Sequence, residues 1–263
     1  MAESFITLTT DFSEDFFAGV MKGVIAGINP QAHVIDITHA LALGDIRAGA
    51  FALMVSCAYF PPGSIHVVVV DPGVGSARRI LCARTRRYLF LAPDNGILSW
   101  TLERDTAVDI HAVEERKFFL PAVSSTFHGR DVFAPVAAHL SLGTKVEELG
   151  PPVPPDAITR IEFPKPLRSD PKTLRGKVLY IDRFGNGITN ISAQDVKDAD
   201  PATARVDVLS SSIKGLSRSY VGALPGTALA LLGSSGFLEI ACSVGSAAKR
   251  LGLKVGENVT VMT

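Results

Sequence analysis

The chain has 263 residues, 47% hydrophobic and 20% charged, enough apolar material to bury a substantial core without disulfide or metal staples. Lysine plus arginine and aspartate plus glutamate number 26 each, and this zero net charge argues against a broad nucleic-acid footprint or a polybasic membrane anchor. The opening Met1-Ala2-Glu3-Ser4-Phe5 has no basic region before an apolar core, so no signal peptide is expected, and the longest weakly polar stretch, residues 48–60, is too short to span a bilayer.

Residues 5–10 alternate apolar side chains with threonines and predict a first strand ending at Asp11. Phe17, Val20, Met21, Val24, Ile25 and Ile28 follow helical spacing until Asn29-Pro30 stops them. A second strand is expected over 33–38 and a second helix over 45–59, closed by Pro61-Pro62-Gly63. The β-branched run 65–70 then stops at Asp71-Pro72-Gly73-Val74-Gly75. Pro72 removes a backbone donor, the glycines open positive φ, and Arg78 follows seven residues after the aspartate. Strands over 79–85 and 88–92 form a hairpin at Arg86-Arg87. After the polar turn Ala92-Pro93-Asp94-Asn95-Gly96 comes a short helix over 97–102. Ser125-Thr126-Phe127-His128-Gly129-Arg130-Asp131 leads into a helix over 132–142. Strands alternating with helices predict an α/β sheet domain with helices on both faces.

The prolines of residues 150–155 read as a linker. Beyond it, short strands are expected over 177–182, 187–191, 205–209, 228–232, 237–241 and 258–262, with one small helix near 246–251. The expected division is an α/β domain over 1–164 and a smaller, barrel-like β domain over 165–263. Cys57, Cys82 and Cys242 are odd in number, lack paired spacing and sit among apolar residues, which predicts three reduced thiols in a soluble, cytoplasmic protein.

Ligands in open α/β sheets collect where strands end. Asp11, Asp71 and Asp94 follow expected strands, and His128 precedes a helix. On residue types alone, Asp71 is as consistent with a simple turn as with a site. His128 reads equally as a helix-entry residue beside solvated Arg130 and Asp131. The same four residues could hold a metal, without metal-ligand spacing to sharpen the idea. His33, His39, His66, His111 and His139 read as strand-edge or surface residues. Asp182, Phe184 and Asn186, at i, i+2 and i+4, could take an ammonium group, stack a planar heterocycle and read its edge, or merely end a strand on two glycines. Gly233-Ser234-Ser235-Gly236 could accept a carboxylate. There is no Gly-x-Ser-x-Gly elbow and no P-loop.

Five segments in order, Thr9-Thr10-Asp11-Phe12, Val70-Asp71-Pro72-Gly73-Val74-Gly75, Thr126-Phe127-His128-Gly129-Arg130-Asp131, Ile181-Asp182-Arg183-Phe184-Gly185-Asn186 and Ser234-Ser235-Gly236-Phe237-Leu238-Glu239, resemble the S-adenosyl-L-methionine (SAM) hydrolase family, the SAM hydroxide adenosyltransferases, relatives of the fluorinase and chlorinase. The resemblance covers nearly the whole chain. It implies hydrolysis of SAM to adenosine and methionine, with Asp71, Arg78 and His128 handling water and no metal or further cofactor. It further implies that Asp11 binds the ribose hydroxyls, Asp182 the methionine ammonium and Ser234 its carboxylate, while Phe184 and Asn186 take the adenine and Phe51 forms an apolar wall. The halogenating relatives have tyrosine in place of Asp71, and the fluorinase has serine in place of Gly129 and arginine in place of Ser235. A carboxylate repels halide and orients water, so hydrolysis is expected over halogenation. A homotrimer is also implied, with sites between one subunit's first domain and the next subunit's second, and neither nucleic acid nor membrane as partner. Two other classes remain: a metal-dependent nucleotidase or phosphatase, and a non-catalytic adenosyl-ligand binding protein.

Overall fold

In the computed structural model, which describes residues 4–221 and 223–263, the first elements are β1 (Phe5–Thr10), α1 (Phe17–Ile28), β2 (His33–Thr38), α2 (Ile46–Ser56), β3 (Ile65–Val69), β4 (Ile80–Arg84), β5 (Leu89–Pro93), α3 (Ser99–Arg104), β6 (Asp109–Ala112) and α4 (Ala134–Ser141). Residues 1–3, on which the reading of no leader partly rests, lie outside the described residues. Every side chain of β3 is buried, so this strand needs cover on both faces. Ile65, Val67 and Val69 join Ile6 and Leu8 of β1 in a core with Met21 and Ile25 of α1 and Val136 and Ala137 of α4. On the opposite face α2 comes very close: a Cβ on Gly49 would sit 3.2 Å from Val70 and 2.7 Å from Ile97. Helices therefore cover both faces.

The sheet order is β2-β1-β3-β5-β4-β6. The first four strands pair in parallel, and β4 runs antiparallel to both β5 and β6. Parallel strands bring their carboxyl ends to one edge, and it is there that Asp11 and Asp71 stand, just past β1 and β3. His66 departs from the surface reading. It is fully buried, with Nδ1 2.8 Å from Thr7 Oγ1 and its ring stacked on Phe90.

The chain divides into two compact units, Met1–Glu162 and Phe163–Thr263. The second contains β7 (Leu167–Asp170), β8 (Thr173–Ile181), β9 (Gly187–Ser192), β10 (Arg205–Val208), β11 (Ser211–Lys214), β12 (Ala228–Leu232), β13 (Phe237–Cys242), α5 (Ala247–Leu251) and β14 (Asn258–Met262). Its sheet runs β11-β10-β14-β8-β9-β13-β12, with β7 on β8. Ser217 N donates to Ala230 O at 2.7 Å and draws the two outer strands together, so the sheet is nearly a barrel around Leu174, Val178, Ile191, Val206, Leu238, Ile240 and Val261.

Three short strands, β6, β7 and β11, were not anticipated. The proline segment also differs from a free linker. Ala112 N donates to Pro151 O, and Val153 N donates to Ile110 O, so residues 150–153 lie along β6. Prolines lack the donor but keep the acceptor, which suits an edge position. The helix expected over 132–142 begins earlier, in a single π turn, Gly129–Phe133, that runs into α4. All three cysteines are buried free thiols.

Candidate functional site

Asp71 lies on the loop that leaves β3. Val74 N donates to Asp71 O and Ser76 N to Gly73 O, which folds the loop back so that Arg78 returns to the aspartate. Arg78 Nε lies 2.8 and 2.7 Å from the two Asp71 carboxylate oxygens, and its Nη2 donates to Asp71 Oδ2 as well. The pair is well enclosed, at 4% exposure for the Asp71 side chain and 10% for Arg78. Gly75 holds φ at +78°, and a Cβ there would stand 2.3 Å from the Ser125 carbonyl oxygen. Only glycine lets this loop press against the segment that carries His128.

Arg78 Nη2 also lies 3.0 Å from His128 Nδ1. A guanidinium can only donate, so Nδ1 accepts, and in the neutral ring the proton sits on Nε2. Burial holds the His128 pKa below that of an ordinary histidine, and the Arg78 charge adds to this. Asp71, Asp131 and the Ser124 backbone oppose the shift. Asp71, Arg78 and His128 are thus one hydrogen-bonded unit with Arg78 at its centre.

Asp71 and His128 line a cleft of about 470 Å³ together with Asp11, a size suited to a small organic ligand. Asp11 follows β1, and its Oδ2 accepts from Gly44 N at 2.7 Å. Three polar side chains from distant segments therefore converge. The other walls include Phe12, Leu43, Val69, Val74 and Phe127, none of which was given a role beforehand. Phe12, Val74 and Phe127 belong to the quoted segments, a usable signal. Leu43, at 91% exposure, carried none. Phe51 is buried on α2 at 3% exposure and is not among these lining residues; its helix turns it into the core.

The solvated-charge reading of Asp131 is also overturned. Its carboxylate is completely buried and takes hydrogen bonds from Arg130 and from Ser124 N. Asp94 is drawn away from the cleft set by Arg79, 2.9 Å from Nε, and by Thr159 N at 2.7 Å. Among the described residues no three His, Cys, Asp or Glu side chains group as metal ligands.

In the second unit, β8 ends in a turn built on Asp182. Its Oδ1 accepts from Phe184 N at 2.9 Å and Asn186 N at 2.8 Å, and its Oδ2 accepts from Asn186 Nδ2 at 3.0 Å. Asn186 is buried, while Phe184 is thrown outward at 77% exposure. Asp182 and Asn186 thus shape the turn that presents the ring. Ser234 is exposed on the turn between β12 and β13. Against Gly233 of the same turn lies Glu239, only 4% exposed, whose Oε2 accepts from Tyr220 Oη at 2.6 Å. Burial raises the pKa of Glu239, and the Asp182 charge adds to this while the Tyr220 bond opposes it. Sequence reasoning missed this carboxyl, although Glu239 closed one of its motifs.

Comparison with known proteins covers both units. Residues 6–150 match the SAM hydroxide adenosyltransferase N-terminal domain, and residues 176–260 match the corresponding C-terminal domain. A (R)-S-adenosyl-L-methionine hydrolase of Thermus thermophilus is 41% identical, over 96% of this chain and 97% of its own. A fluorinase of Actinoplanes sp. is more distant, at 25% identity over 91% of both. A crystal structure of an uncharacterized conserved protein from Thermotoga maritima superposes with a TM-score of 0.92 at 35% identity, covering 98% of this chain and 100% of its own.

Proposed function

This chain belongs to the SAM hydroxide adenosyltransferase family, and we propose that it is an S-adenosyl-L-methionine hydrolase in which Asp71, Arg78 and His128 prepare water to attack C5′. The observation that carries the assignment of roles is the convergence of Asp11, Asp71 and His128 on one cleft, with Arg78 tying the last two together.

The sulfonium of SAM is already a good leaving group, so no acid is needed on the methionine side. The nucleophile is what limits the reaction. A water held against the Asp71 carboxylate attacks C5′; the C–O bond forms as the C–S bond breaks, and the bonding pair passes to sulfur to give methionine. Positioning of this kind supplies up to about 7–11 kcal/mol. The water proton is left with the Asp71–Arg78–His128 unit. When His128 takes it at Nδ1, the imidazolium can no longer accept from Arg78, whose Nη2 donor is released toward the new oxygen. General-base help of this sort is typically worth about 10²–10⁴ in rate. A carboxylate at the nucleophile position disfavours halide.

Asp11 accepts from the ribose hydroxyls. The exposed Phe184 ring suits stacking on adenine, and Asn186, whose amide nitrogen is committed to Asp182, keeps Oδ1 for the exocyclic amine. Asp182 has taken three N–H donors and shares the methionine ammonium with the field of Glu239; Ser234 meets the carboxylate. SAM is the substrate, and no further cofactor enters the reading. The two sets of residues complete one site between the first unit of one subunit and the second of its neighbour in a homotrimer. Free, buried cysteines fit a cytoplasmic setting. Incubation with SAM in EDTA should give adenosine and methionine in equal amounts. Intact SAM would leave a binding protein, and activity abolished by EDTA would favour the metal-dependent class.

A further inference from the structure

Asp131 takes no part in the steps above, yet it is a fully buried carboxylate beside a half-exposed arginine. Burying such a group is costly unless its oxygens are well satisfied, and here they are. Oδ1 accepts from Arg130 Nε at 2.6 Å, and Oδ2 accepts from Arg130 Nη2 at 3.0 Å and Ser124 N at 2.8 Å. The backbone repeats the connection: Asp131 N donates to Phe127 O, and Leu120 N donates to Asp131 O. Ser124 Oγ in turn accepts from Phe127 N at 3.0 Å. These bonds close residues 124–131 into a loop with His128 inside it. The π turn Gly129–Phe133 brings Asp131 inward, and single π turns are frequent at functional sites.

His128 is therefore gripped from two directions. Arg78 holds Nδ1 on one side, and the Asp131-anchored loop fixes the backbone on the other. We propose that Asp131 is a positioning residue for His128: its carboxylate ties the 124–128 segment to the start of α4 and so sets where the imidazole stands against Arg78. This rests on the reading of His128 as part of the hydrolytic unit, and the test separates the two.

Asp131→Asn keeps the shape and an acceptor for Ser124 N while removing the charge. The first readout is the NMR titration of the His128 ring in the full-length, substrate-free protein. The groups facing this ring are Arg78, which favours its neutral form, and Asp71, Asp131 and the Ser124 backbone, which favour the charged form. Loss of the Asp131 charge should move the His128 titration to lower pH. The acid limb of kcat/KM should move the same way. A fall in kcat of about 10–100-fold is expected, the scale of small misplacements at a reacting centre, with KM for SAM changed less than about threefold. Arg130→Gln removes two of the three donors that satisfy the buried carboxylate, so kcat should fall in the same direction as in Asp131→Asn.

Should Asp131→Asn fail to fold, Ser124→Ala loosens the same loop without touching the buried pair, and the His128 titration should still shift. A folded Asp131→Asn, or Ser124→Ala in its place, with wild-type titration and wild-type kcat would overturn the proposal. A shifted titration in Ser124→Ala, which keeps the Asp131 charge, together with full activity in His128→Ala would uphold the positioning and refute the role of His128.

Discussion

Gly75→Ala offers a severe test of the close approach between the Asp71 loop and the His128 segment. The residue sits at φ +78°, a region that costs a non-glycine residue about 1–2 kcal/mol. Its new Cβ would stand 2.3 Å from the Ser125 carbonyl oxygen and 3.3 Å from the carbonyl carbon, and backbone must retreat by about 1 Å before the contact becomes ordinary. Ser125 lies three residues before His128, next to the Ser124 amide that Asp131 anchors. The strain is relieved by lifting the 71–78 loop or by shifting the 124–128 segment. Either movement stretches the 3.0 Å contact between Arg78 and His128. A misplacement of about 1 Å at a reacting centre costs on the order of 10² in rate, or about 2.7 kcal/mol. We therefore expect Gly75→Ala to lose about 1–2 kcal/mol of stability and about 10²-fold in kcat, with a smaller change in KM. Thermal unfolding and steady-state hydrolysis of SAM measure the two effects. A variant with wild-type melting and wild-type turnover would refute the proposed contact.

Other consequences follow from single side chains. His66 is buried, and burial lowers its pKa from 6.5 to about 4. Its contribution is fully present above pH 6.5, where both states are neutral. Between pH 6.5 and about 4 the unfolded chain binds a proton that the folded chain does not, so stability falls with pH by about 1.4 kcal/mol per unit. Chemical denaturation of His66→Phe across this range should show a shallower acid decline, and an identical slope would remove His66 from the cause. Phe184→Ala should leave the fold intact, since the ring is mostly exposed, and weaken adenosine binding by about 1–3 kcal/mol; unchanged calorimetric affinity would return the ring to a structural role. His128→Ala should slow turnover by about 10²–10⁴. Asp71→Asn should damage kcat more than KM, because the carboxylate contacts the nucleophile rather than SAM, and a pure KM effect would contradict that placement.

Much of this was legible because the chain states it locally. The β-branched run of β3, the helical spacing of α1 and the Asp-Pro-Gly stop at Asp71 each follow from residues within a few positions. Strands such as β6 and β11 were not, because Asp109–Ala112 and Ser211–Lys214 are short and partly polar and become strands through their neighbours. The site divides in the same way. Asp11, Asp71 and His128 sit at readable chain punctuation. Asn186, by contrast, gives its amide to Asp182, and Asp131 is buried by a π turn that no spacing announces. His66 is buried among rings from β5 and its surroundings, contacts visible only once the sheet is assembled.

The central claim is attack of water at carbon, and isotope placement tests it most directly. In H₂¹⁸O, with EDTA present, the label should appear in the 5′-hydroxyl of the adenosine formed and be absent from methionine. Unlabelled adenosine would contradict displacement by water, whatever the behaviour of the Asp71 and His128 variants.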